Sequence, residues 1–96
     1  LPTYDQTDRF KKDLKGLTET QRTRFKAAVE KFIEDLKAGR PPRASLGIER
    51  LRSDPDLFEF HFEGDGRATF QFGAEILPGE KHVIWRRVGT HDVYRP

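Results

Sequence analysis

The stretch LFEFHFEGDGRATFQF, residues 57–72, decides how this chain folds. Apolar and polar residues alternate on both sides of Glu63-Gly64-Asp65-Gly66, a run of turn-forming residues, so it predicts two antiparallel strands joined by a hairpin turn. Side chains two apart in a strand share a face. Phe58, Phe60 and Phe62 therefore lie on one side with Ala68, Phe70 and Phe72, and Glu59, His61, Arg67, Thr69 and Gln71 lie on the other. The phenylalanine side needs a covering layer, and the rest of the chain must supply it.

That layer is expected from the N-terminal half. Phe10, Leu14 and Leu17 recur at three- to four-residue spacing within DRFKKDLKGL, as in a short amphipathic helix. Thr18-Glu19-Thr20-Gln21 matches a capping box, which starts a second helix. Its apolar stripe is Phe25, Val29, Phe32, Ile33 and Leu36, and Gly39 followed by Arg40-Pro41-Pro42 ends it. Beyond the helices, LGIERL (46–51) reads as a short strand and HVIWRRV (82–88) as the last one, with Gly73 to Lys81 as a loop. The expected architecture is α+β: two N-terminal helices packed on one face of a four-stranded, mainly antiparallel sheet, forming a single domain over residues 1–96. Trp85 is expected in the core. Neighbouring strand residues face opposite ways, so at most one of Arg86 and Arg87 lines the polar face, and periodicity leaves open which.

The totals agree with a small folded domain. Hydrophobic residues make up 34% and charged residues 35%, and eight Phe supply the bulk that a disordered segment lacks. There is no cysteine, which excludes disulfides and thiolate metal sites, and no long apolar run, so a soluble cytoplasmic protein is the expectation. His61, His82 and His91 lack the close spacing of a zinc motif, and no phosphate-binding glycine loop or serine nucleophile motif occurs, so neither metal nor cofactor is expected. The net charge of +2 permits an anionic partner without requiring one, because acids and bases are interleaved.

Taken alone, the polar face of the hairpin matches an ordinary solvent face, where a Glu near an Arg contributes under about 1 kcal/mol. The tail changes that balance. Gly89 ends the last strand, and His91 and Tyr94 just beyond it are placed to lean over the face that carries Glu59, His61 and Arg67, whereas Asp92 and Arg95 read as a turn acid and a solvated terminal base. A carboxylate, imidazoles, a guanidinium and a phenol are the groups needed to cleave RNA through its own 2′-hydroxyl: a base, an acid and a cation for the phosphorane charge.

The order helix, helix, four strands, with an arginine opening the strand after the hairpin turn and V-G-x-H-x-V-Y near the end, resembles the RelE/ParE family of bacterial toxins from Asp8 to Arg95. The resemblance implies a type II toxin held inactive by a cognate antitoxin, and in its RelE-like branch a metal-independent endoribonuclease that cleaves mRNA, in many members on the ribosome. It implies that Arg67 contacts the scissile phosphate, that His91 is the general acid and that Tyr94 orients or stacks on the nucleotide. RelE itself carries lysines where this chain has Glu59 and His61, so one of these two must be the base, and Glu59 is favoured. Thr69, Gln71 and Arg87 are the expected RNA contacts around them. The alternative is a non-catalytic ParE-like toxin or binding module that acts on a protein such as DNA gyrase.

Overall fold

Two threonines start the helices. In the computed structural model, which describes residues 1–94, Thr7 accepts a hydrogen bond from the Phe10 N–H at 3.1 Å and opens α1 (Asp8–Lys15). The capping box forms as the sequence predicts: the Gln21 N–H donates to Thr18 Oγ1 at 3.1 Å, the Thr18 N–H donates to Gln21 Oε1 at 2.8 Å, and α2 runs Glu19–Lys37. Such a cap contributes about 1 kcal/mol. Just past the helix, Gly39 takes φ +68°, a left-handed conformation that glycine adopts at little cost.

The sheet has five strands and is mixed, which corrects the expectation of four. Thr3–Gln6 forms β1, which pairs in parallel with the last strand, from Thr3 opposite His82 to Gln6 opposite Trp85. TYDQ offers one apolar side chain, and Tyr4 is exposed, so the strand carries no alternation that a sequence reading detects. Its partner lies almost the whole chain away.

LGIERL is corrected too. Ala44–Leu46 forms a 3-10 turn and Gly47 adopts φ +55°, so extended backbone is confined to β2 (Glu49–Arg50). The remaining strands are β3 (Phe58–Phe62), β4 (Gly66–Gly73) and β5 (His82–Gly89), in the sheet order β1-β5-β4-β3-β2, and a second 3-10 turn, His91–Tyr94, follows β5.

The helices cover one face of this sheet, as the phenylalanine pattern requires. Phe60, Phe62, Ala68 and Phe70 are buried with Phe10 of α1 and Phe25 and Phe32 of α2. Trp85 is the hub, with ring centroids 5.1 Å from Phe60, 5.2 Å from Phe25 and 5.4 Å from Phe70. Edge-to-face aromatic pairs add about 0.5–1.5 kcal/mol each beyond the area they bury. Phe72 departs from the pattern: at the loop end of β4 it stays 39% exposed, and the Lys81 ammonium sits 5.5 Å from its ring.

One irregularity matters for the opposite face. Thr69 pairs with Arg87 while Phe70 pairs with Trp85, so Arg86 is the extra residue of a β-bulge. The expectation that Arg86 and Arg87 face opposite ways assumed an unbroken pleat. With the bulge, Trp85 and Val88 are both buried in the core, and both arginines line the cleft above Thr69. Among the described residues, no helix is long and apolar enough to cross a membrane.

Candidate active site

Strand register sets the site out in two rows. Glu59 of β3 lies opposite Thr69 of β4, which lies opposite Arg87 of β5; one step along, His61 lies opposite Arg67, which lies opposite Gly89. The polar residues of the hairpin thus share a face with the end of β5, and the turn His91–Tyr94 folds onto that end.

Glu59 and His61 form a hydrogen-bonded pair at 2.7 Å between Oε1 and Nε2. An ionised carboxylate can only accept, so His61 Nε2 carries the proton and donates it to this bond. The other edge of the ring lies close to the backbone of Gly47: a Cβ built there would stand 2.5 Å from His61 Nδ1. With Nε2 engaged by Glu59, the imidazole can hold the carboxylate in orientation. Glu59 Oε2 has no hydrogen-bond partner among the described residues and is the oxygen left to accept a proton.

Arg67 stands beside this pair. Its Nη1 donates to the Gly66 carbonyl at 2.7 Å, and no carboxylate lies within ion-pair distance of it among the described residues, so its positive charge remains available to an incoming anion. The guanidinium is anchored by its own turn and half exposed.

Tyr94 comes over the same face. Burial, reinforced by the Glu59 carboxylate and partly offset by Arg67, pushes its hydroxyl up to about 12. At neutral pH it is therefore a neutral phenol, able to donate a hydrogen bond. Among the described residues its hydroxyl oxygen is buried without a hydrogen-bond partner, and Thr69 Oγ1 is in the same state. Buried polar atoms are nearly always hydrogen-bonded, so these two are positions where a water or a polar ligand group can bind. Thr69 and Tyr94 both line a cleft of about 420 Å³ whose walls include Arg9, Arg86 and Arg87.

The raised phenol gives a direct prediction. In a Tyr4→Phe background the single remaining phenolate absorbance should appear at about pH 12 rather than 10. The folded state holds this proton more tightly than the unfolded chain, so stability is intact below pH 10 and falls as pH rises toward 12. An absorbance midpoint at 10 would show that the hydroxyl is not buried beside Glu59.

The other expected site residues are distributed unevenly. Gln71 is half-buried and its Oε1 accepts from Arg86 Nη1 at 3.0 Å. Arg87 is held from behind, its Nε donating to Asp13 Oδ2 of α1 at 2.7 Å. His91 is exposed on its turn, and no hydrogen bond or ion pair joins it to Glu59, His61 or Arg67. Arg95 lies outside the described residues. Sequence reading missed Asp13 and Gly47, and it allowed no more than one of Arg86 and Arg87 on this face. The bulge that turns Arg86 inward has no local signal, and Gly47 was absorbed into an expected strand, although a glycine within LGIERL is itself a hint of a break.

No protein-family model and no curated protein matches the chain in sequence. Solved structures do match it. The structure of YafQ from E. coli strain BL21(DE3) is similar over 100% of both chains, at 17% identity and a TM-score of 0.65. The RelB–RelE antitoxin–toxin complex of Methanococcus jannaschii matches over 96% of this chain and 99% of that one, at 21% identity and a TM-score of 0.61. The intact E. coli RelBE toxin–antitoxin complex matches over 94% and 96%, at 23% identity and a TM-score of 0.60. The fold is that of the RelE-like toxins.

Proposed function

We propose that this protein is the toxin of a toxin–antitoxin pair and that it cleaves mRNA by metal-independent acid–base chemistry. The observation that carries the reading is the convergence of Glu59, Arg67 and Tyr94 on one face, with a free carboxylate oxygen, an unpaired guanidinium and an orphan phenol. Glu59 Oε2 takes the proton of a ribose 2′-hydroxyl, the 2′-oxygen attacks the adjacent phosphorus, and the bond to the 5′-oxygen breaks, leaving a 2′,3′-cyclic phosphate. Arg67 and the Tyr94 hydroxyl stabilise the charge of the phosphorane. His91, on the exposed turn, donates the proton to the leaving 5′-oxygen once the bound nucleotide spans the distance. Thr69, Gln71 and the Arg86–Arg87 bulge hold the flanking phosphates and bases. The ribosomal A site is the setting in which mRNA would be presented to it, in the cytoplasm.

The partner follows from the same reading. Solved chains of this fold occur in antitoxin complexes, and this chain carries an apolar groove of about 460 Å³ between β1 and α2, lined by Tyr4, Phe10, Val29, Ile33 and Trp85 with Arg22 and Lys26 beside them. An antitoxin segment with an apolar face and flanking acids fits that lining.

Transient expression with mapping of mRNA 5′ ends tests the function. Cuts at codon-registered positions are expected, and Arg67→Ala should lower their rate by about a hundredfold, the usual effect of removing one charge-stabilising donor. Because Arg67 bonds among the described residues only to its own turn, the variant should keep a stability within about 0.5 kcal/mol of wild type. Growth arrest with intact mRNA and accumulated DNA breaks would assign the protein to gyrase inhibition instead.

A further inference from the structure

The Glu59–His61 pair abuts a segment from outside the sheet that no sequence motif marks. At the end of α2 the Asp35 carboxylate has no exposure, and it accepts from the Arg43 backbone N–H at 2.9 Å, Arg43 Nε at 3.0 Å, Arg43 Nη2 at 2.9 Å and Arg40 Nε at 2.7 Å. Arg43 is the residue from which the 3-10 turn Ala44–Leu46 starts, and Leu46 is buried in the core, so the turn is fixed at both ends. Gly47 closes it, with φ +55° and its N–H donating to the Ala44 carbonyl at 3.0 Å. The His61 ring lies against this glycine so closely that a Cβ would come within 2.5 Å of Nδ1, 2.7 Å of Cγ and 3.0 Å of Cε1.

We propose that Gly47 is a positioning residue: anchored through Arg43 to Asp35, its bare backbone forms the surface on which His61 rests so that Nε2 meets Glu59. Side-chain packing at that point is replaced by close backbone approach, a role only glycine fills. The proposal rests on the acid–base reading of the Glu59–His61 pair for its effect on cleavage, and on geometry alone for its effect on the imidazole.

Two readouts separate these. Gly47→Ala should move or broaden the His61 ring N–H resonance in heteronuclear NMR, reporting loss of the bond to Glu59, and should slow cleavage by about tenfold or more. Gly39→Ala is the control for backbone strain, because Gly39 has φ +68° yet nothing within 4 Å of a new Cβ; it should lose stability but keep the resonance and the rate. If Gly47→Ala folds too poorly to assay, Gly47→Asn tolerates the left-handed backbone and carries the same Cβ. Stability of the His61→Ala background gives a further check: Gly47→Ala should cost less there than in wild type, since the colliding ring is gone. An unchanged His61 resonance in folded Gly47→Ala, or equal costs in the two backgrounds, would overturn the proposal. Should the wild type cleave no RNA, the NMR and stability results still decide it.

Discussion

Glu59→Gln is expected to lower the rate of RNA cleavage by about 10²–10⁴-fold, the contribution of a positioned general base, with no measurable change in melting temperature. The substitution is chosen for what it preserves. A glutamine amide oxygen can still accept from His61 Nε2, at 2.7 Å in the native pair, so the imidazole keeps its orientation and only the basicity of the second oxygen is lost. The side chain is half-buried on a polar face and makes no contact that the amide cannot imitate, so packing changes little. Single-turnover cleavage of a short RNA, or of ribosome-bound mRNA, is the measurement. A rate equal to wild type would remove Glu59 from the base role, and a matching loss in His61→Ala alone would transfer that role to the imidazole.

The hairpin shows why some of this site was legible and some was not. Alternation in residues 57–72 is a local property, and burial of its phenylalanines forces Glu59, His61, Arg67 and Thr69 to the far face whatever the rest of the chain does. The capping box at Thr18 is local too, and α2 begins where it says. What escaped was non-local. β1 is a strand only because β5 offers it an edge, and the bulge at Arg86 exists only in the pairing of β4 with β5. Thr69 illustrates both limits at once: periodicity placed it on the polar face, but its burial to 1% depends on how the cleft closes over that face, with Leu51 and Leu57 before the hairpin and Val93 and Tyr94 after it. Its role therefore changes from a surface contact to the floor of a cleft.

Asp35→Ala is expected to cost more stability than any substitution on the polar face of the sheet, lowering the melting temperature on the order of 10 °C. Asp35 is fully buried near the end of α2, a costly place for an acid unless it is fully paired. In the fold it is: Arg43 and Arg40 satisfy both carboxylate oxygens, and the Arg43 guanidinium, ahead of its backbone N–H, holds the carboxyl well below the ordinary value of 3.8. Alanine leaves the Arg43 N–H without its acceptor and releases the connection from α2 to the turn below Gly47. The pH dependence has a definite sign. A carboxyl whose folded value is depressed contributes stability that is present above its unfolded value, near pH 3.8, and is lost as pH falls through the folded one. Wild type should therefore lose stability steeply as pH drops below about 4, while Asp35→Asn, with no proton to bind, should start less stable and show a shallower decline over that interval. Parallel acid-unfolding curves for the two proteins would mean that Asp35 is not held as a charged group in the native state. If the curves diverge as expected, the His61 resonance in Asp35→Asn then reports whether loosening the end of α2 reaches the Glu59–His61 pair through Arg43 and Gly47.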